Sequence, residues 1–206
     1  MAKIKVMLVD DHAMLRMGLA SLLGTAKEIQ VVAEAGNGAE ALGKYEQCVP
    51  DVVVMDLMMP EMDGTETTRE LIKVHPDAKV LILTTFGTAD ALGHALEAGA
   101  LGAILKTAKL PELVSSIEAV AAGKRSVSSE IEQILKESPP VQALSKRQAE
   151  ILEAITRGLS NEDIAAMLGI SVPMVKEHVK ILFEKIGAAN RAEAVAIAIK
   201  KHLLKA

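Results

Sequence analysis

The chain has 206 residues, half of them apolar, with one tyrosine, two phenylalanines and no tryptophan. This length suits one large or two small domains; no apolar run is long enough for a bilayer, the start has no secretory layout, and the single Cys48 excludes an internal disulfide or a cysteine-based zinc site. The absence of these signals leads us to expect a cytoplasmic protein without membrane partners. Residues 1–140 carry 13 basic and 20 acidic side chains, whereas residues 141–206 carry 10 basic and 7 acidic ones. This difference in charge predicts different partners for the two halves.

The first 123 residues alternate between short apolar runs typical of buried strands and segments with helical spacing. Five β–α units in a row predict a parallel sheet with right-handed crossovers and helices on both faces. The predicted strands are residues 4–9, 29–33, 52–55, 80–83 and 102–105. The predicted helices are residues 13–23, 39–47, 65–75, 89–98 and 110–122.

A different pattern begins after Gly123. The polar segment that follows, residues 123–140, predicts a linker with one short helix at residues 129–136. Residues 141–206 show only helical periodicity, and the predicted helices are residues 145–157, 161–168, 172–186 and 191–204. We therefore expect an α/β domain followed by a small all-α domain.

Polar side chains stand where the predicted strands end: Asp10, Asp11, Asp56, Thr84 and Lys106. The carboxyl ends of parallel strands meet at one rim of the sheet, where ligands bind. Taken singly, an aspartate at a strand end is often a helix cap. Taken together, three carboxylates repel one another unless a cation neutralises them, and ligand sets made of oxygen favour Mg2+. A carboxylate at such a site can act as a nucleophile towards phosphorus and form an aspartyl-phosphate.

A resemblance to a known family rests on these strand ends and the loops beside them. The motifs that carry it are Asp10-Asp11, the stretch VVVMDLMMPEMDG at residues 52–64, Thr84, and GALGAILK at residues 99–106. Over residues 3–122 the chain resembles the receiver domain of two-component response regulators. The resemblance implies a flavodoxin-like fold with a five-stranded parallel sheet.

The same resemblance implies a role for each residue at the rim. Asp56 would accept a phosphoryl group from a sensor histidine kinase, and Thr84 and Lys106 would contact the phosphoryl oxygens. Asp11, Asp56 and the backbone carbonyl of Met58 would bind Mg2+, with Asp10 assisting through water. The protein would then be no enzyme beyond self-phosphorylation and self-dephosphorylation at Asp56.

Two positions depart from the family pattern. Receivers usually carry Tyr or Phe where this chain has Ala103, and Thr85 is bulkier than the usual Ala or Ser. We therefore expect switching to rely on shifts near Phe86 and residues 89–98. The departure leaves open an alternative, a DNA-binding regulator that ignores phosphorylation. A phosphohydrolase using Asp56 is a further alternative, although haloacid-type hydrolases carry an aspartate where Met58 stands.

The stretch GNGAEA, residues 36–41, also fits the glycine-rich fingerprint of dinucleotide-binding folds. Asp56 stands 20 residues beyond Gly36, where the ribose-binding acid of that fingerprint is expected. Such a short motif is often fortuitous, and it leaves the rim residues unexplained. The simpler interpretation is a tight turn into a helix capped by Asn37.

Residues 159–180 have a helix-turn-helix layout. Ser160 caps one helix, Gly169 turns the chain, and Ser171 caps the next helix, which has Pro173 in its first turn. On this second helix an apolar face lies opposite Lys176 and Lys180, which suits contacts in the major groove.

The wider segment resembles the LuxR-type DNA-binding domain, through LSKRQAEIL at residues 144–152, GLSNEDIA at 158–165, VKEHV at 175–179 and ANRAEA at 189–194. The resemblance covers residues 141–204 and, joined to a receiver, implies a response regulator of the NarL/FixJ family. It implies that Lys176, Glu177 and Lys180 face bases while Ser171, Asn190 and Arg191 position the DNA backbone, with residues 161–180 as the helix-turn-helix.

In the last predicted helix, Val195, Ile199 and Leu203 recur every four residues, and they suit a dimer contact, the domain core, or a mixture of both. We expect a transcription factor that takes a phosphoryl group on Asp56 and then binds promoter DNA as a homodimer. A sensor histidine kinase and RNA polymerase are its further expected partners.

Overall fold

A computed structural model of the protein describes residues 3–85, 89–137, 144–200 and 203. The chain divides into two compact units, Met1–Pro140 and Val141–Ala206. The first unit is α/β and the second is helical, which confirms the fold class predicted from the sequence periodicity. Among the described helices, none combines the length and apolar character that a membrane span requires.

The first unit is built on a parallel sheet in the order β2-β1-β3-β4-β5-β6. The strands are β1 (Ile4–Val9), β2 (Ile29–Ala35), β3 (Val52–Asp56), β4 (Val80–Thr84), β5 (Gly102–Leu105) and β6 (Ser126–Val127). The helices are α1 (Ala13–Gly24), α2 (Gly38–Cys48), α3 (Gly64–Val74), α4 (Ala89–Glu97), α5 (Leu110–Ala121) and α6 (Ser129–Glu137). The predicted element ends therefore lie within two residues of the observed ones.

Alternate residues of each central strand pack on opposite faces of the sheet. Met7, Met55 and Ile82 face one layer, which contains α2, α3, α4 and α6, while Leu8 and Val54 face α1 and α5. All of these side chains are buried. Helices on both faces explain why the strands are apolar throughout rather than alternating.

The structure has a sixth strand where the sequence predicts a linker. Ser126 and Val127 pair with Gly102 and Ala103 of β5. A Cβ on Gly102 would lie 2.3 Å from the carbonyl oxygen of Ser126, so only glycine permits this approach. The helix that follows, predicted within the linker, buries Ile131 completely against the core. Residues 126–137 are thus part of the first unit.

Within the described residues, the second unit contains α7 (Lys146–Thr156), α8 (Asn161–Leu168), α9 (Val172–Ile186) and α10 (Arg191–Lys200). The last helix is predicted to reach residue 204, but residues 201, 202 and 204 lie outside the described part of the chain. Side chains from all four helices form one core, with Ile155, Ile164, Val175 and Ala194 among its buried members.

The helix-turn-helix has the predicted turn geometry. Ser160 accepts a hydrogen bond from the Asp163 amide and forms a capping box with that residue. Gly169 ends α8 in the left-handed conformation, with φ of 64°, which favours glycine. Pro173 lies in the first turn of α9, where a missing N–H has no consequence.

Candidate functional site

The three predicted aspartates of the rim converge. One ligand atom each from Asp10, Asp11, His12 and Asp56 lies within 4.8 Å of all the others. The sheet explains this meeting, because β1 and β3 are neighbours and Val9 is in register with Met55. Residues that follow β1 and end β3 therefore emerge side by side at the same edge.

Lys106 supplies the positive charge at this rim. Its Nζ lies 2.7 Å from Oδ2 of Asp10 and 2.9 Å from Oδ2 of Asp56. All three side chains are at most 7% exposed. The Lys106 amide donates to the carbonyl of Thr84 at 2.6 Å, which fixes the residue beside the end of β4. The rim therefore holds a buried ammonium between two carboxylates.

Burial and charge act against each other on Asp56. Burial raises the pKa of its carboxyl above the ordinary value, and the nearby charge of Asp10 acts in the same direction. Hydrogen bonds from Lys106 and from the Met58 backbone oppose this shift but do not cancel it. Burial of Lys106 favours its neutral form, yet its bonds to Asp10 and Asp56 outweigh burial and raise its pKa. Lys106 alone therefore does not offset the burial of the Asp56 carboxylate.

The hydroxyl of Thr84 is a second feature of the rim. Thr84 is fully buried, and its Oγ1 has no hydrogen-bond partner among the described residues. A buried hydroxyl without a partner carries a desolvation penalty. Neighbouring Thr85 is exposed. Thr84 therefore offers an unused hydrogen-bonding group at the end of β4.

The loop after Asp56 depends on a glycine. A Cβ on Gly64 would lie 2.2 Å from the carbonyl oxygen of Asp56 and 3.0 Å from the Cα of Leu57. The Gly64 amide instead donates to Leu57 at 2.9 Å and closes the loop. Asp63 caps α3 by accepting from the Glu66 amide. The loop thereby places the Met58 backbone next to Asp56.

His12 is a site residue that the sequence analysis misses. Its amide donates to Oδ1 of Asp10, and its Nδ1 lies 2.8 Å from Oδ1 of Asp11. The imidazole is 70% exposed. A single histidine after two aspartates has no distinctive spacing, so only adjacency to Asp11 could have indicated it.

The GNGAEA stretch does not form a phosphate cradle. It follows β2, which is an edge strand and not a strand at the centre of the sheet. The Gly36 amide donates to Oε2 of Glu40, so a carboxylate takes the place an anion would need. Asn37 caps α2 by accepting from the Glu40 amide, as the simpler interpretation predicts. Gly38 packs closely against Thr67 and Met62.

In the second unit, α9 separates a buried face from an exposed one. Val175, Leu182 and Ile186 are buried in the core. Lys176 and Glu177 are exposed. Lys180 is also exposed, and its Nζ lies 3.9 Å from Oε1 of Glu184. The predicted DNA-facing side chains thus occupy the solvent face of the helix.

The other residues predicted to position DNA have mixed surroundings. Ser171 precedes α9 in an extended conformation, but its hydroxyl does not cap the helix as the sequence predicts. Asn190 accepts from the Glu193 amide at 2.9 Å. Arg191 is partly buried and donates to Oδ1 of Asn161 and to the carbonyl of Leu159. Arg191 therefore ties α10 to the start of α8.

The predicted dimer residues of the last helix are not equivalent. Ile199 is 67% exposed. Val195 and Leu203 are partly buried and pack against the core of the second unit. This is the mixture of core and surface that the four-residue spacing leaves open.

Comparisons with known proteins match both units. The family described as "Response regulator receiver domain" matches residues 6–118, and "Bacterial regulatory proteins, luxR family" matches residues 142–198. Transcriptional regulatory protein LiaR of Bacillus subtilis (strain 168) is 35% identical over 209 residues, covering 98% of this chain and 99% of LiaR. Response regulator protein VraR of Staphylococcus aureus is 35% identical over 207 residues with the same coverage. The crystal structure of response regulator ChrA, from a heme-sensing two-component system, is 39% identical with a TM-score of 0.58, covering 99% of this chain and 100% of ChrA.

Proposed function

Because the chain belongs to the response regulators that join a receiver domain to a LuxR-family DNA-binding domain, we propose that phosphorylation of Asp56 controls its binding to promoter DNA. Members of this family regulate transcription and are not enzymes in the usual sense. The observation that carries the proposal is the placement of Lys106 within 3 Å of both Asp10 and Asp56. We place the protein in the cytoplasm, where promoter DNA lies.

The first step is phosphoryl transfer from a sensor histidine kinase. An Asp56 carboxylate oxygen bonds to phosphorus as the bond between phosphorus and the kinase histidine breaks. The carboxylate oxygens of Asp10, Asp11 and Asp56 lie close together and fit Mg2+. Asp11, Asp56 and the carbonyl of Met58 would hold the ion, with Asp10 assisting through water, and the ion would neutralise charge on the phosphoryl oxygens. Attack of water on phosphorus later releases phosphate and restores the Asp56 carboxylate.

Two described side chains suit the phosphorylated state. The ammonium of Lys106 pairs with a phosphoryl oxygen in place of the Asp56 oxygen that now carries the phosphoryl group. The Thr84 hydroxyl, which has no partner among the described residues, donates to another phosphoryl oxygen. Each charged hydrogen bond contributes about 1.5 to 3 kcal/mol, enough together to shift a two-state equilibrium. Helix α4 is the next element along the chain after β4, and residues 89–98 are the segment we expect to respond. Phe86 lies outside the described residues.

The DNA-binding step uses the exposed surface of the second unit. Lys176, Glu177 and Lys180 face base edges in the major groove. Ser171, whose hydroxyl makes no cap bond, contacts the DNA backbone together with the loop held by Asn190 and Arg191. A homodimer formed through Ile199, flanked by Val195 and Leu203, brings two such surfaces to two half-sites.

The test compares DNA affinity before and after activation. Full-length wild type and Asp56→Ala are titrated, with and without beryllofluoride, against a duplex selected from a random pool. We expect activation to tighten wild-type binding about tenfold, a typical coupling of 1 to 3 kcal/mol, and to leave Asp56→Ala unchanged. Asp77→Ala, which removes an exposed carboxylate of the same unit, is the matched control and responds like wild type.

Two results would overturn the proposal. Wild-type affinity that never responds to beryllofluoride selects a DNA-binding regulator that ignores phosphorylation. Steady hydrolysis of small phosphomonoesters through Asp56 selects a phosphohydrolase.

A further inference from the structure

The exposed surface of α9 is divided into two chemically different flanks. At about 100° per residue, Lys176 and Lys180 lie close together along the helix, and we call them the basic flank. Met174 and Glu177 lie about 60° apart on the other side, and we call them the acidic–apolar flank. Buried Val175 and Leu182 fix this rotation, because they hold the opposite face of α9 in the core.

The basic flank suits phosphates and guanine, but Glu177 does not. Its carboxylate has no ion-pair or hydrogen-bond partner among the described residues, although lysines precede and follow it. A carboxylate only accepts hydrogen bonds, and burying it without a donor is strongly unfavourable. In the major groove, base edges offer donors only at the amino groups of cytosine and adenine. Glu177 therefore rejects base edges that present oxygen or N7 beneath it.

Met174 adds an apolar group to the same flank. It is 47% exposed although it is a large hydrophobic residue. It lies in the first turn of α9, and the N-terminal residues of a recognition helix reach the base edges. Met174 stands three positions before Glu177, a rise of about 4.5 Å along the helix axis, which is close to one base step of about 3.4 Å. Apolar side chains in the major groove contact the methyl group of thymine.

Resting on the function proposed above, we propose that the acidic–apolar flank of α9 reads a cytosine and a neighbouring thymine in each half-site. Glu177 accepts from the cytosine N4 amino group, and Met174 contacts the thymine methyl. Lys176 and Lys180 supply affinity on the other flank. The sequence preference of the protein is then set by its uncharged and negative side chains as well as by its lysines.

The first experiment is selection from a random duplex pool by the beryllofluoride-activated full chain. We expect wild type to enrich a site in which one cytosine is preferred about tenfold over other bases, within the 1 to 3 kcal/mol typical of a base mismatch. Glu177→Gln changes that position to adenine, because glutamine bonds to adenine N6 and N7. Glu184→Gln, which alters another exposed glutamate of the same helix, leaves the selected site unchanged.

The second experiment removes a single methyl group. In the selected duplex, thymine beside the cytosine is replaced by deoxyuridine, and affinity is measured by fluorescence anisotropy. We expect wild-type affinity to fall about fivefold, at the lower end of mismatch effects, while Met174→Ala shows no further loss. Ile181→Ala is the matched control, since Ile181 is 45% exposed but lies two turns further along α9.

Each outcome separates the inference from the proposed function. A wild-type site that Glu177→Gln leaves unchanged, or a uridine effect that persists in Met174→Ala, overturns the inference and leaves the proposed function standing. Failure of wild type to enrich any sequence overturns the proposed function and the inference with it.

Discussion

The rim of the first unit and the exposed face of α9 are assembled in opposite ways. The rim draws Asp10, Asp56, Thr84 and Lys106 from separate strand ends and buries them against one another. The α9 surface takes neighbouring residues from one helix and leaves them in solvent. In the rim, charges interact mainly with other protein groups, whereas on α9 they are exposed to solvent.

This difference predicts which variants change the stability of the protein and which change its binding to DNA. Removing one member of a buried charge cluster leaves the others uncompensated, so changes at the rim alter folding as well as chemistry. Exposed charges contribute little to folding. We therefore expect rim variants to change the free energy of unfolding and α9 variants to change only affinity for DNA.

The largest effect is expected for Lys106→Met. This change leaves the buried carboxylates of Asp10 and Asp56 facing each other without the ammonium that lies between them. We expect the free energy of unfolding to fall by about 3 kcal/mol, the cost typical of breaking a buried ion pair on one side. Urea denaturation of the first unit, followed by circular dichroism, measures it.

The control for this prediction is Lys124→Met, which removes an exposed lysine of the same unit. We expect it to change stability by less than about 0.5 kcal/mol. Equal losses in the two variants would show that the rim charges are screened by solvent, and the contrast with α9 would disappear.

Gly64→Ala tests whether the rim depends on backbone packing as well as on charge. The added Cβ would lie 2.2 Å from the Asp56 carbonyl oxygen, and a backbone atom of a central strand has little room to shift. We expect a loss of about 2 kcal/mol, within the range for overpacking, together with altered amide shifts at Asp56. These effects are measured by urea denaturation and NMR.

Gly43→Ala provides the opposite case. A Cβ there meets nothing within 4 Å, and the residue lies inside α2. We expect a gain of about 0.5 to 1 kcal/mol, because glycine is unfavourable in a helix. If Gly64→Ala and Gly43→Ala change the free energy of unfolding alike, the rim does not depend on the close backbone packing at Gly64.

The contrast also explains how far the sequence could predict the molecule. Strand positions and the rim residues follow from periodicity and from the rule that parallel strands end at one edge. Strand β6 was missed because two residues, Ser126 and Val127, carry no periodic signal. Its pairing depends instead on the missing side chain of Gly102, which lets Ser126 approach closely. That approach is visible only in the folded structure.

Other features depend on distances that a sequence does not contain. Arg191 donates hydrogen bonds to the backbone carbonyl of Leu159 and to the side-chain oxygen of Asn161, both about thirty residues earlier in the sequence. The pKa shifts of Asp56 and Lys106 likewise arise from burial, which only the packed structure defines. The exposed face of α9 was easier to predict, because neighbours in a helix are also neighbours in sequence.

Lys180→Ala tests the second region of the comparison. Lys180 is 78% exposed and its contact with Glu184 is long, so we expect no measurable change in the free energy of unfolding. We expect affinity for DNA to fall about tenfold and the slope of its salt dependence to drop by about one. Lys136→Ala, an exposed lysine of α6, is the control and changes neither property. Loss of stability in Lys180→Ala would contradict the separation of folding from binding.

The smallest effect is expected at Asp163, where charge in the second unit does act on folding. Hydrogen bonds from the Ser160 side chain and backbone lower the pKa of Asp163 from its ordinary value of 3.8. A lowered folded-state pKa means that ionised Asp163 stabilises the fold above pH 3.8 and that this stabilisation is lost as pH falls through the folded pKa. Asp163→Asn should therefore be slightly less stable than wild type at pH 7. The two proteins should be equally stable once the pH is below the folded-state pKa of Asp163, as urea denaturation at a series of pH values would show. A difference that stays constant with pH would mean that the cap acts through geometry alone. Because this carboxylate is bonded within one helical turn, the expected effect is confined to α8, unlike the effects expected at the rim.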